Sequence, residues 1–258
     1  MMTPTGPRPD DFIEWLRRQL TASGARGVVV GLSGGSDSAV VARLCQLAAA
    51  DRCAVLIMPC ESVAADTADA LLVARHFEMP ATVIDLAPAY HRLAADLTAA
   101  LGTSAAAAAA RPDAAATAAA LLNLKARLRM STLYFTANAR GYLVAGTSNR
   151  TELLVGYFTK HGDGASDLLP IGGLLKGEVR MLARELGVPA AIIDKAPSAG
   201  LHPGQTDEAD LGVKYADLDR YAVGGPDSVP PALAMRIERM IRASEHKRAR
   251  PATPGDDD

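Results

Sequence analysis

The chain has 258 residues, of which 49% are hydrophobic and 22% charged, and its formal net charge is -2. This length allows one large domain with a hydrophobic core and excludes two full-sized enzyme domains. The charge gives no reason to expect a nucleic acid or an anionic membrane as a partner. The sequence also lacks a signal pattern and an apolar run of membrane-spanning length, so we expect a cytoplasmic protein.

Buried strands and helices are predicted to alternate along the first 145 residues. The amphipathic stretch 11–20 predicts a helix, and the β-branched run Val28-Val29-Val30 is typical of a buried parallel strand. The same patterns predict helices over 39–50, 66–76 and 121–140, and strands over 54–58, 81–84 and 142–145. Such alternation predicts an α/β fold in which helices cover both faces of a parallel sheet.

The later part of the chain is less regular. Residues 156–175 are glycine-rich and charged without a period, which predicts a long surface loop of the kind that often carries function. Helices are predicted over 176–186, 190–194 and 231–249. The Ala-rich stretch 99–120 fits either a helical hairpin broken at Arg111-Pro112 or a loose connector. We expect one domain over 1–250 and a disordered tail over 251–258.

The segment Gly31-Leu32-Ser33-Gly34-Gly35-Ser36-Asp37-Ser38 lies between the first predicted strand and a helix. In a parallel sheet this place is the carboxyl end of a strand, where ligands bind. Glycines let successive N–H groups converge, and the helix N-terminus adds positive potential, so the loop suits phosphate. A tight turn with Asp37 or Ser38 as N-cap explains the same residues.

Other known motifs fit this loop less well. No Lys follows its last Gly, so it is not a Walker A loop, and it is not G-x-G-x-x-G. It does satisfy G-x-S-x-G, which leaves an α/β-hydrolase with Ser33 as nucleophile as an alternative. The oxyanion-like string His161-Gly162-Asp163-Gly164 follows that serine instead of preceding it, and Asp37 has no place in a hydrolase.

The string Ser-Gly-Gly-x-Asp-Ser resembles the loop of the ATP-pyrophosphatase superfamily, whose members adenylate a substrate oxygen. Further strings resemble the ammonia-dependent NAD+ synthetase family, and the similarity runs from about Val28 to Arg248. They are 123–130, 146–149, 156–160, 162–164, 167–170, 197–201, 205–208 and 246–248, together with Glu152 and Lys176. The resemblance implies a Rossmann-like fold of the adenine nucleotide alpha-hydrolase type.

The resemblance also implies roles for individual residues. ATP would be bound by residues 31–38 with Thr147, Lys176 and Ser198, a position where many members have Thr. Two Mg²⁺ ions would be held by Asp37 and Glu152, and the catalytic pair would be Asp37 and Lys176. The deamido-NAD+ site would contain Arg127, Lys160, Asp167, His246 and Lys247.

The implied reaction is the last step of NAD biosynthesis. The carboxylate of deamido-NAD+ would attack the α-phosphate of ATP and expel pyrophosphate, and ammonia would then displace AMP. Catalysis of this kind depends mainly on positioning and charge stabilisation. The family is typically homodimeric. About thirty residues precede the loop, fewer than a folded domain needs, so we expect ammonia to be used directly without an amidase domain.

Each of these residues, taken alone, also fits a purely structural role. Arg127, with its basic neighbours Lys125 and Arg129, is typical of a solvated helix face. Glu152 and the pair His246-Lys247 suit the ends of helix dipoles. Two other functions stay open: a related ligase that acts on another acid or transfers sulfur, and a nucleotide sensor without catalysis. Sulfur transfer usually needs catalytic cysteines, whereas Cys45, Cys53 and Cys60 fit core or helix positions.

Overall fold

The computed structural model describes residues 6–103, 114–198 and 206–254. Within these ranges four parallel strands form one sheet in the order β3-β2-β1-β4. The strands are β1 (Gly27–Gly31), β2 (Cys53–Ile57), β3 (Ala81–Val83) and β4 (Tyr142–Ala145). The strand order reverses beside β1, because β2 and β3 extend to one side and β4 to the other. Such a switch point opens a crevice at the carboxyl ends of the strands.

Helices connect these strands and continue beyond them. In chain order they are α1 (Pro9–Ser23), α2 (Ser36–Ala49), α3 (Ala64–His76), α4 (Ala87–Thr103), α5 (Ala114–Arg140), α6 (Arg150–Val155), α7 (Lys176–Glu185), α8 (Ala190–Ile193), α9 (Asp207–Leu211), α10 (Tyr215–Gly224) and α11 (Pro231–Ala243). None of the helices in the described ranges is both long and apolar enough to cross a membrane.

Helices cover both faces of the sheet, as predicted. On one face α1, α2, α3 and α7 bury residues such as Leu16, Leu44 and Leu182 against β1 and β2. On the other face α4 and α5 pack around Tyr90 and Ala137. A third cluster joins α6, α10 and α11. The fold is therefore the predicted α/β arrangement, with an additional helical layer beside the end of β4.

Several element boundaries differ from the prediction. The helix predicted over 231–249 ends at Ala243, and a 3-10 turn, Glu245–Lys247, follows it. Four helices, α4, α6, α9 and α10, were not predicted. The Ala-rich stretch is helical up to Thr103 and again from Ala114, and its centre lies outside the described residues. So do residues 255–258 of the predicted tail.

Candidate active site

A cavity of about 490 Å³ opens where β1, β2 and β4 end. Gly31, Met58 and Gly146 mark the three strand ends in its wall. The loop 31–38 contributes most of its residues to the same wall. The crevice therefore forms at the switch point of the sheet, where an α/β protein is expected to bind its ligand.

Serine side chains fix the shape of the loop. Ser33 Oγ lies 3.0 Å from Ser38 Oγ, and the Gly35 N–H donates to Ser33 Oγ at 3.3 Å. Ser38 Oγ in turn donates to the Gly35 carbonyl at 2.9 Å. Gly35 is the N-cap of α2 and makes no side-chain cap bond, so the interpretation of Asp37 or Ser38 as N-cap is wrong. Asp37 instead lies in the first helical turn, and its carboxylate makes contacts outside the helix cap.

Gly34 requires the glycine that the sequence provides. Its φ is +90°, and a Cβ there would meet the Asp66 carbonyl oxygen at 2.5 Å and Asp69 Cβ at 2.9 Å. Only glycine adopts such a conformation without strain. The loop therefore packs directly against the first turns of α3.

The geometry does not support a hydrolase nucleophile at Ser33. A nucleophile elbow places its serine in a strained backbone conformation beside a histidine. Ser33 is not among the described non-glycine residues with positive φ. Its hydroxyl bonds the loop itself, through Ser38 and Gly35.

Asp37 is the centre of a buried polar cluster. Its Oδ1 accepts from Lys176 Nζ at 2.7 Å and from Ser36 Oγ at 2.9 Å. Its Oδ2 accepts from Asn149 Nδ2 at 2.7 Å. Lys176 Nζ also lies 3.7 Å from Glu152 Oε1. One ammonium group thus contacts two carboxylates that come from different helices.

Local structure places each member of the cluster. Asn149 and Glu152 form a capping box at the start of α6, in which Asn149 N–H donates to Glu152 Oε2 at 3.1 Å. Lys176 is the first residue of α7, and its N–H donates to Thr151 Oγ1 at 3.2 Å. Asp219 on α10 accepts from Thr151 Oγ1 at 2.6 Å and so secures both helix starts. Three helix N-termini therefore converge on the cavity, which favours anionic ligands.

The two carboxylates of the cluster have pKa values that are shifted in opposite directions. Burial alone would raise the pKa of Asp37, but the charge of Lys176 and three hydrogen bonds outweigh it and hold the pKa below its usual value. Burial, with the neighbouring charge of Asp37, raises the pKa of Glu152 to about 8. The single cation Lys176 therefore favours the ionised form of Asp37, whereas the protonated form of Glu152 is favoured near neutral pH.

Two tyrosines and Asp207 extend this cluster, although no role was predicted for them. Tyr215 OH donates to Asp207 Oδ2 at 2.9 Å and to Glu152 Oε1 at 3.3 Å. Tyr157 OH donates to the other oxygen of Asp207 at 3.1 Å. Asp207 belongs to the string 205–208 that the family resemblance contains, so that string was the available signal. Asn149 had a similar signal in the string 146–149.

The remaining predicted ATP residues also reach the cavity. Thr147 follows β4 and Ser198 follows α8, and both line the wall. The structure therefore brings the loop, Thr147, Glu152, Lys176 and Ser198 to one site.

Four of the five residues predicted to bind deamido-NAD+ lie close together, and one of them, Lys247, reaches the cavity. Lys247 lines the cavity, and its Nζ donates to the Gly156 and Phe158 carbonyls, both at 2.8 Å. Lys160 Nζ donates to the His246 carbonyl at 2.6 Å, and Arg127 Nη2 donates to the Lys160 carbonyl at 3.3 Å.

Arg127, Lys160 and His246 are thus linked to one another but do not line the cavity. Asp167 lies elsewhere, where it accepts from the Val144 N–H at 2.7 Å. The basic neighbours of Arg127 do not form one solvated face, because Lys125 is buried and lies 3.0 Å from Glu61 Oε2.

The profile of one protein family, described as NAD synthase, matches residues 10–251. The chain belongs to the NAD synthase family. It is 45% identical over 247 residues to the NH(3)-dependent NAD(+) synthetase of Carboxydothermus hydrogenoformans, with 96% of each chain covered.

Solved structures of similar proteins have the same fold. The NMN synthetase of Francisella tularensis superposes with a TM-score of 0.84 and 36% identity, covering 96% of this chain and 97% of its own. The NAD+ synthetase of Burkholderia pseudomallei gives a TM-score of 0.74 with 34% identity, covering 94% and 89%. As a member of the NAD synthase family, the chain is a ligase with the predicted Rossmann-like fold.

Proposed function

We propose that this chain forms NAD+ from deamido-NAD+, ammonia and ATP, releasing AMP and pyrophosphate. One observation carries the proposal: a phosphate-type loop and two carboxylates, Asp37 and Glu152, share one cavity with Lys176. The family membership and the 45% identity to an NH(3)-dependent NAD(+) synthetase support the choice of substrates. A cytoplasmic homodimer is part of the proposal.

In this proposal, some residues of the cavity bind the phosphates of ATP and others stabilise the reacting groups. Loop 31–38 and the N-terminus of α2 provide N–H groups and positive potential for the β- and γ-phosphates of ATP. Lys176 supplies charge where negative charge develops on the α-phosphate as the substrate carboxylate attacks it. Thr147 and Ser198 add hydroxyl donors at the wall. Ammonia then attacks the adenylated carboxyl carbon and AMP leaves, so no covalent bond to the protein is needed.

Asp37 and Glu152 fit a magnesium site in the chemistry of their donors. Magnesium is usually bound by one or two carboxylates and completes its shell with water and substrate phosphates. Bound magnesium would neutralise the phosphate charge.

The test is pyrophosphate release by the purified chain. We expect release to require ATP and deamido-NAD+ together, and NAD+ to appear once ammonium is added. A ligase for another acid would release no pyrophosphate with deamido-NAD+. A nucleotide sensor would bind ATP without cleaving it.

A second candidate substrate is the mononucleotide, nicotinic acid mononucleotide. The observation that favours it is the likeness to the NMN synthetase of Francisella tularensis, at a TM-score of 0.84 over nearly the whole chain. In addition, four of the five residues expected at the dinucleotide lie outside the cavity lining: Arg127, Lys160, Asp167 and His246. The ratio of kcat/KM for the two acids decides between them.

A further inference from the structure

Lys195 forms two ion pairs beside the cavity that no step described above uses. Its Nζ lies 2.8 Å from Asp66 Oδ1 and 2.5 Å from Asp69 Oδ2. All three side chains are partly buried, with 31%, 21% and 31% of their surface exposed. Burial lowers the pKa of Lys195, but the hydrogen bonds and charges of the two aspartates outweigh it and raise the pKa, so Lys195 stays protonated.

The carboxylates of this cluster belong to the part of α3 that touches the phosphate loop. Asp66 and Asp69 lie three residues apart and therefore share one face of the helix. The backbone of Asp66 and the Cβ of Asp69 are the atoms that leave no space for a side chain at Gly34. Lys195 is thus connected through α3 to the loop 31–38.

The other side of Lys195 leads to Ser198 and Asp207. Ser198 follows Lys195 by three residues and lines the cavity. Between them, the Pro197 carbonyl accepts from the Asp207 N–H at 2.9 Å. The segment 195–198 is therefore held at two places, by α3 through Lys195 and by α9 through Pro197.

We propose that Lys195 is a positioning residue of the ATP site. Its pairs with Asp66 and Asp69 fix the segment 195–198 against α3, and so set Ser198 and Asp207 relative to the loop 31–38. The proposal rests on the proposed use of ATP. A network with two carboxylates and little exposure holds its geometry better than an isolated surface pair does.

A direct contact between Lys195 and an ATP phosphate is the competing explanation, since Lys195 also lines the cavity. The two explanations differ in the role of the aspartates. If Lys195 positions the segment, removing the carboxylate charges has the same effect as removing the lysine. If Lys195 binds ATP, removing them frees the lysine for phosphate and leaves ATP binding intact or stronger.

The experiment compares Lys195→Met, the double variant Asp66→Asn/Asp69→Asn, the combined triple variant and the conservative Lys195→Arg. We expect the KM for ATP to rise about tenfold in the lysine variant and in the double variant, equivalent to about 1.4 kcal/mol. The KM for ATP should not rise further in the triple variant, because either set of substitutions alone already removes the ion pairs. Lys195→Arg should recover most of the ATP affinity, and kcat should change less than KM.

The matched control is Arg184→Met. Arg184 pairs with Asp194 at 3.9 Å, beside Lys195, but both side chains are largely exposed and neither lines the cavity. This variant should keep the KM for ATP. Hydrogen exchange provides a readout that does not depend on catalysis. The amides of 194–196 and 198, and that of Asp207, which donates to the Pro197 carbonyl, should exchange faster in Lys195→Met and in the double variant. In Arg184→Met they should exchange at the normal rate.

Two results would overturn the proposal. The first is a raised KM for ATP in Lys195→Met together with a normal KM and normal hydrogen exchange in the double variant. That result would assign Lys195 to direct contact with ATP. The second is unchanged exchange of the amides of 194–196, 198 and 207 in every variant. If the unmodified chain does not turn over ATP, the proposed function fails, and the exchange measurement still decides whether Lys195 fixes the segment.

Discussion

Lys176 Nζ lies 2.7 Å from Asp37 Oδ1, although 139 residues separate them in the chain. The side chain of Lys176 is 5% exposed and that of Asp37 12%. Removing one partner of a buried pair leaves an uncompensated charge, which is strongly unfavourable. This pair therefore joins the starts of α2 and α7 and also places a cation at the phosphate loop.

Asp37→Asn should reduce ATP–pyrophosphate exchange about a hundredfold or more while the fold persists. The amide lacks the charge that would hold magnesium at the phosphates, and Lys176 retains Glu152 as a partner. Exchange is measured with deamido-NAD+ present, and the fold by circular dichroism. Asp96→Asn is the control, because Asp96 lies on α4 in an exposed pair with Arg92. Near-normal exchange in Asp37→Asn would refute the assignment.

Lys176→Met should destabilise the protein, since it leaves Asp37 and Glu152 close together without a cation. We expect the free energy of unfolding to fall by about 3 kcal/mol, as for other broken buried pairs. Urea denaturation measures the loss. Adding Asp37→Asn to this variant should restore part of the stability, because the unpaired charge is then gone. An additive loss in the double variant would contradict the coupling.

The sheet and the phosphate loop could be predicted because their signals are local. Three β-branched residues at 28–30 and a glycine-rich turn identify a strand end and a loop without knowledge of any partner. Asn149 and Asp207 lie in strings of the family resemblance, but their contacts with Asp37 and Tyr215 could not be predicted. These contacts depend on how distant segments of the chain fold together. The predicted helix 231–249 was too long because the sequence has no strong stop signal at Ser244, where the α-helix ends and the 3-10 turn that begins at Glu245 follows.

Truncation after Glu245 should weaken deamido-NAD+ binding more than ATP binding. It removes His246 and Lys247, and with Lys247 the hydrogen bonds to the Gly156 and Phe158 carbonyls at the cavity wall. Calorimetry measures both affinities. Truncation after Arg250 is the control, since it removes the tail and keeps the basic pair. Equal deamido-NAD+ affinity in the two truncated chains would show that the pair has no role in binding.

The cysteines should react slowly with iodoacetamide in the native protein. Cys45 and Cys60 are buried, and burial raises the pKa of all three thiols, that of Cys53 to about 12, so little thiolate exists at pH 8. All three should label after unfolding. Because burial disfavours the Cys53 thiolate, the free energy of unfolding should fall as the pH rises above the unfolded pKa of about 9. Rapid native labelling would contradict the burial.

The nitrogen donor provides the last test. We expect the purified chain to make NAD+ from ammonium chloride and not from ammonia-free glutamine. Hydrolysis of glutamine by an amidase normally needs an activated nucleophile with a base beside it. Among the described residues the cysteines are buried or half-buried, and none lines the cavity. Four of the five histidines fall in the described ranges, and none of these lines the cavity either.

The assay measures NAD+ formation with each donor at the same concentration, pH and magnesium. Raising the pH from 7 to 8 should speed the reaction at fixed ammonium, because free ammonia is the nucleophile and its fraction grows about tenfold in that range. Saturating deamido-NAD+ and ATP keep substrate binding from masking this effect. Comparable rates with glutamine and ammonium would reveal a glutaminase site within the chain and overturn direct use of ammonia.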